Sequence, residues 1–166
     1  MQLVFTPLGS TPPATSYATF DVRAGGSTPA ESVPVLDFDA AADEFADWIF
    51  VLPNDYAGGG LTCTVWWSAT SATSGNAVIG LAFRAVPDDT EDIDTSQTYD
   101  YNEATDACAS VSGEIVGTAI TFTDGADMDS LAAGGVAVLR MRRNADDGSD
   151  TMAGDLELWA ISIVET

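Results

Sequence analysis

Four tryptophans, five arginines and twenty-six carboxylates are the side chains of this chain that could do chemistry; histidine and lysine are missing altogether. Without imidazole there is no ordinary Ser-His-Asp triad, no facial triad and no neutral general base near pH 7. Without lysine there is no Schiff base and no phosphate-loop cation, and no GxGxxG or GxxxxGK(S/T) run occurs. Paired carboxylates can cleave glycosidic bonds, but among so many acids some pair always looks suitable. Acid–base pairs are recognised as perturbed groups in a cleft, not by abundance. The expectation is therefore a protein that is not an enzyme, with a carboxylate-dependent glycosidase ranked far behind.

Cation binding is the next chemistry to weigh. Asp88, Asp89, Glu91, Asp92 and Asp94 fall in one stretch, and Asp146, Asp147 and Asp150 in another. Calcium takes six to eight oxygens at short range, which such loops can supply, so calcium or another cation is a possible ligand although none is required. Neither stretch follows the D-x-(D/N)-x-(D/N)-G pattern with a glutamate at position twelve, and solvated acidic loops are the plainer reading. Arg140, Arg142 and Arg143 place three of the five cations at one strand end. They precede the acidic run NADDGSD, so either an intersubunit contact or an intrachain charge network fits them.

Trp66 and Trp67 are adjacent, and adjacent residues of a strand point to opposite faces. One of them must leave the local core. It can line a sugar platform, a subunit interface or a second packing layer, the last two being favoured because aromatic residues anchor buried interface centres. Cys63 falls on the inward face of its strand as a small core residue, and Cys108 lies in a small polar stretch; a disulfide is the less favoured reading.

The balance of acids and bases gives a formal net charge of −21. Such a chain repels nucleic acid and anionic membranes, so neither is an expected partner. Self-repulsion of this size weakens a compact fold in dilute buffer, whereas a Debye length of ~3 Å in 1 M salt screens it. Together with the absence of lysine, this points to a halophilic setting. No apolar run approaches the ~20 residues that span a bilayer, and the first residues, MQLVFTPLGS, do not read as an export signal.

Strands are the elements that must position these groups. In LTCTVWWSA, Leu61, Cys63, Val65 and Trp67 alternate with Thr62, Thr64 and Trp66, and Ala77–Val86 is almost wholly apolar. Val33–Phe38, Asp43–Pro53, Glu114–Thr123, Gly135–Arg143 and Asp155–Val164 read as further strands. The acidic stretch 87–113 holds at most a short edge strand near Gln97–Tyr101, and 124–133 a single helical turn. Seven or eight strands, glycine- and aspartate-rich turns and no amphipathic helix predict an all-β fold, an antiparallel β-sandwich. A jelly roll is the first choice of topology and an immunoglobulin-like fold the second. Residues 1–32, rich in Pro, Gly, Ser and Thr, are expected to form an extended N-terminal arm, and 33–166 the sandwich. Phe5, Tyr17 and Phe20 are too apolar for a free linker, so the arm should dock on another surface.

Two long segments carry a family resemblance. Residues 36–75, LDFDAAADEFADWIFVLPNDYAGGGLTCTVWWSATSATSG, contain an aromatic strand ending in Trp67-Ser68-Ala69. Residues 139–165, LRMRRNADDGSDTMAGDLELWAISIVE, run from an R-x-R-R strand through a D-T-x-x-G-D turn to a final apolar strand. This order of motifs resembles small jelly-roll structural proteins of tailed viruses: capsid decoration or turret proteins, or head and tail fibre domains. The resemblance covers residues 34 to 166 and implies a non-catalytic homotrimer on the capsid surface of a virion, assembled in the host cytoplasm. Its partners would be copies of itself and the major capsid protein or another virion protein. Arg140, Arg142, Arg143, Trp66, Phe5, Tyr17 and Phe20 are the expected interface residues. The alternative is a receptor- or carbohydrate-binding sandwich domain of a tail fibre or cell-surface protein, for which an exposed aromatic platform would be the mark.

Overall fold

Alternation of apolar and polar side chains resolves into ten strands in the computed structural model, which describes all 166 residues. They are β1 (Gln2–Phe5), β2 (Thr19–Gly25), β3 (Glu31–Phe38), β4 (Glu44–Val51), β5 (Leu61–Ala69), β6 (Asn76–Ala85), β7 (Asn102–Ala107), β8 (Val116–Phe122), β9 (Val136–Arg143) and β10 (Leu156–Glu165). Two single 3-10 turns, Pro7–Gly9 and Ala126–Met128, are the only helical pieces. Every strand pair is antiparallel. The first sheet runs β2-β3-β10-β5-β8, with β1 also paired to β10, and the second runs β4-β9-β6-β7. The two sheets face each other as a β-sandwich of the jelly-roll kind.

β10 is the hub of the first sheet. Its start pairs with β3 (Leu156↔Phe38), its end pairs with β1 (Gln2↔Val164), and β5 lies along its other side throughout. The register against β5 slips between Leu158 and Ala160. This bulge leaves Leu158 and Ile161 both in the core, three residues apart where plain alternation would place them two or four apart.

The core lies between the sheets. Trp48, Trp67, Phe38, Leu61, Ile79, Leu139 and Met141 are all fully buried there. An aromatic ladder crosses it: Phe5 meets Phe50 at 5.2 Å between ring centroids, Phe50 meets Phe83 at 6.1 Å, and Phe83 meets Phe122 at 4.8 Å, all edge to face. Such pairs contribute ~0.5–1.5 kcal/mol each beyond their area. The buried indole N–H groups are satisfied, Trp48 donating to the Thr6 carbonyl at 2.9 Å and Trp67 to Thr118 Oγ1 at 2.8 Å. Cys63 and Cys108 are free thiols in this core, and burial pushes the Cys63 thiol up to about 12.

The extended arm does not form. Residues 1–32 supply β1, β2 and the start of β3, and residues 11–18 lie along the free edge of β4 through bridges at Thr11–Asp47 and Tyr17–Phe45. The physical reason is the edge itself: its unpaired N–H and C=O groups take up the Pro- and Thr-rich segment as a cover. Phe5 is accordingly a core residue, 9% exposed, and not an interface residue. Tyr17 and Phe20 stay half exposed beside Leu8 in a shallow apolar groove at this edge. A second difference falls after Pro87, where the strand is β7 at Asn102–Ala107 and not the Gln97–Tyr101 segment.

Candidate functional site

The outer face of the first sheet carries two tryptophans. Trp67 is the buried member of its pair, and Trp66 is 42% exposed on the opposite face. Trp66 lies down on the sheet over Gly117 of the neighbouring strand β8, its Cα partner. A Cβ at Gly117 would sit 2.7 Å from Cζ3 and 3.1 Å from Cε3 of the indole, so glycine is what lets the ring lie flat. The Trp66 Nε1–H donates to Ser162 Oγ at 3.1 Å. One face of the ring rests on backbone, its polar edge is tied, and the other face is open.

Trp159 stands on the same side of the sheet, next to the bulge in β10 and in step with the alternation of the inward Leu156 and Leu158. Its Nε1–H donates to Ser68 Oγ at 2.9 Å, and Ser68 lies two residues beyond Trp66 on the same face of β5, about 7 Å further along. Trp159 also walls a cavity of about 380 Å³ with Arg23, Glu31, Val33 and Gly113. Gly113 has φ +86°, and a side chain there would strike the Arg23 guanidinium at 2.6 Å, so the glycine both turns the chain and admits the arginine. The two pinned indoles thus share the outer face of the first sheet, and Trp159 joins that face to the cavity.

Beneath it runs a charged network. Glu157, 4% exposed, is paired with Arg23 and accepts a bond from Ser68 Oγ at 2.8 Å. Asp37 is its cross-strand partner, and Asp37 Oδ1 is buried without a hydrogen bond. Burial, then the charges of Glu157, Asp21 and Asp155, push the Asp37 carboxyl up to about 6, with Arg23 opposing them. A raised carboxyl beside a second carboxyl is the pattern of an acid–base pair. Here neither group lines a cavity, and Glu157 is held by Arg23 and Ser68, so the pair shapes the sheet surface.

The outer face of the second sheet has the arginines. Arg140 makes a two-pronged bond to Asp47, Nε to Oδ1 at 2.6 Å and Nη2 to Oδ2 at 2.7 Å, and its guanidinium stacks 4.0 Å from the centroid of Tyr99. Burial opposes its charge, yet the bonds and the charge of Asp47 hold its pKa above the ordinary value. Arg142 bonds Glu103 at 2.8 Å and stacks 4.1 Å from Tyr101, whose hydroxyl burial pushes up to about 12. Arg143 points the other way, into the core, and is 0% exposed. It bonds Asp150 twice, at 3.0 and 2.8 Å, and the carbonyls of Met152 and Gly154 at 2.7 Å each. All three arginines thus have intrachain partners, and complete burial removes Arg143 from any interface.

Neither acidic stretch brings three or more acidic or cysteine side chains into an arrangement that could hold a metal ion. Asp150 is engaged by Arg143 and by the Val78 N–H at 3.0 Å. Asp147 Oδ1 accepts the Ser149 N–H at 2.7 Å, and this bond holds its carboxyl below the usual range; the Asp146 N–H donates to Asp43 at 3.2 Å. Asp88, Asp89, Asp92 and Asp94 are exposed along the loop between β6 and β7, where Asp92 accepts bonds from Asp94 and Thr95 that shape the loop itself.

Two residues of consequence were not singled out from the sequence. Counted back from Ile161 and Ile163 Trp159 falls inside, whereas counted on from Leu156 and Leu158 it falls outside; the bulge between Leu158 and Ala160 reconciles the two, and its trace in the sequence is the Leu158–Ile161 spacing. Arg84, a lone cation inside the apolar strand β6, is only 5% exposed and points to the outer face of the second sheet, across from Val138 of β9.

No family model matches the chain, and no curated protein matches it in sequence. Solved structures do. The CBM22-1 xylan-binding domain of Xyn10C from Paenibacillus barcinonensis superposes with a TM-score of 0.53 at 12% identity, over 97% of this chain and 91% of that one. A family 35 carbohydrate-binding module from Clostridium thermocellum superposes with a TM-score of 0.52 at 11% identity, over 100% and 99%. At such identity these are likenesses of fold: the chain is a β-sandwich built like these modules along its whole length.

Proposed function

We propose that this protein is a non-catalytic carbohydrate-binding module whose binding surface is the outer face of the first sheet, centred on Trp66. The observation that carries this reading is the open indole face, held flat over Gly117 and tied at its nitrogen to Ser162. A pyranose ring presents a patch of C–H bonds that stacks on an aromatic face, and a ring already fixed loses little freedom on binding. Ser162, Thr64 and Trp159, on the same face, supply hydroxyls and a second aromatic wall for a neighbouring sugar unit. The sandwich shared with known carbohydrate-binding modules supports the reading at the level of fold. The trimeric virion role rests on the sequence resemblance alone, whereas this reading rests on a built surface.

Affinity electrophoresis through gels holding soluble polysaccharides tests it, beginning with xylan, the polymer bound by the Paenibacillus domain. Retardation of the native protein by at least one neutral polysaccharide is expected, and its disappearance in Trp66→Ala. Retardation that survives Trp66→Ala undiminished would place the site elsewhere.

A further inference from the structure

Arg84 differs from the other four arginines. Its guanidinium makes one hydrogen bond, from Nη1 to Glu91 Oε2 at 3.2 Å, and its Nε–H is buried with no partner. Arg23, Arg140, Arg142 and Arg143 each have at least two polar partners or a two-pronged bond. A buried cation with unmade bonds is costly, and natural folds seldom leave one without a use. Arg84 lines a cleft of about 500 Å³ on the outer face of the second sheet, between the Thr11–Ala14 cover and the loop from β6 to β7. Ile49 and Val138 give the cleft an apolar floor, and Asp47, Gln97 and Arg140 add polar groups to it. Arg84 and Arg140 are diagonal neighbours on adjacent strands, about 7 Å apart at the backbone.

The chemistry that completes Arg84 follows from its free edge. With Nη1 on Glu91, the unused donors are Nε–H and Nη2–H, the parallel pair that matches the two oxygens of a carboxylate. Glu91 is one-third exposed and bonds only Nη1, through a single oxygen, so it leaves this edge without a partner. We infer that the cleft over Arg84 is a second binding site, for a small ligand bearing a carboxylate, gripped by the Nε–Nη2 edge of Arg84. The site lies on the opposite sheet from Trp66 and stands or falls independently of it. Glu91 opposes the ligand: its charge is the nearest the guanidinium feels, and removing it favours an incoming anion.

The Arg84 Nε–H is itself the reporter. In an ¹⁵N–¹H correlation spectrum its signal is identified by its loss in Arg84→Met, a variant that keeps the apolar stem and removes the buried charge. Titrations with galacturonate, acetate and galactose at constant molar salt are compared. Galacturonate should shift the signal saturably, galactose should not, and Glu91→Gln should tighten galacturonate several-fold. In Arg84→Met, backbone shifts around the cleft should need at least about tenfold more galacturonate. Acetate binding as tightly as galacturonate supports the site with a simple carboxylic acid as its ligand; galacturonate binding more tightly supports an acidic sugar. The inference is overturned if neither acid moves the signal, if galactose moves it equally, or if folded Arg84→Met responds like the native protein.

Discussion

The outer faces of the two sheets use aromatic side chains in opposite ways. On the second sheet the rings of Tyr99 and Tyr101 are covered by the guanidinium groups of Arg140 and Arg142, which are in turn fixed by Asp47 and Glu103. On the first sheet the indole nitrogens of Trp66 and Trp159 are fixed by serines, and the exposed ring face of Trp66 is left free. An aromatic ring has an edge and a face to offer, and here one sheet occupies the faces while the other occupies the edges. The first arrangement stiffens a surface. The second prepares one for a partner that stacks.

The largest expected effect lies in the arginine-bearing strand β9, on its core side. Asp150→Ala leaves Arg143 charged and buried with only carbonyl partners, and should cost about 3–5 kcal/mol by denaturant unfolding. A loss under about 1 kcal/mol would show that Arg143 does not brace the second sheet from its core side. Next comes Trp66→Ala, expected to weaken polysaccharide binding by at least about tenfold while changing unfolding free energy by less than about 0.5 kcal/mol. If stability falls as far as affinity, the first sheet is braced like the second and the contrast fails. Gly117→Ala sharpens the point without removing the indole. Its Cβ lifts the ring from the sheet, so affinity should fall by a smaller factor, and Trp66 fluorescence should shift as the ring moves.

The smallest expected effect concerns Asp37. Its folded pKa is raised, to about 6, so the stability this carboxyl contributes is full below the unfolded value near 4 and is lost as pH rises through 6. Asp37→Asn removes the penalty. It should stabilise the protein at pH 7.5 by about 1 kcal/mol, allowing for solvent screening of a half-buried group, and leave it unchanged near pH 3.5. Melting curves at the two pH values check the sign, and an equal gain at both would assign it to packing rather than charge.

How far these faces were legible in the sequence follows from what each depends on. The alternation of Leu61 to Trp67 places Trp67 inside and Trp66 outside once β5 is known to have one buried face, and the sandwich follows from the recurrence of such strands. β1 and β2 were hidden because the first has only four residues and the second, an edge strand, is exposed on nearly every residue and shows no period. β7, NEATDA, has neither β-branched nor aromatic character beyond one threonine and exists because β6 offers it a partner. Aspartate is so abundant that its clusters carried little information, and Asp150 proved to be a counter-ion for a core arginine. Arg84 left the plainest signal, a charge within an apolar strand, though its missing partners are visible only in three dimensions.

The hub position of β10 has a consequence for how the polypeptide comes together. Its partners β1, β3 and β5 all precede it in the chain, and Gln2 must find Val164 across nearly the full contour. During synthesis the first sheet therefore waits for its central member, with β3 and β5 exposing the edges that β10 will fill. High contact order of this kind makes for slow folding and a long exposure of sticky edges. With a net charge of −21 such intermediates repel one another while β3 and β5 wait for β10, so the charge that marks the folded surface bears on the path to it as well.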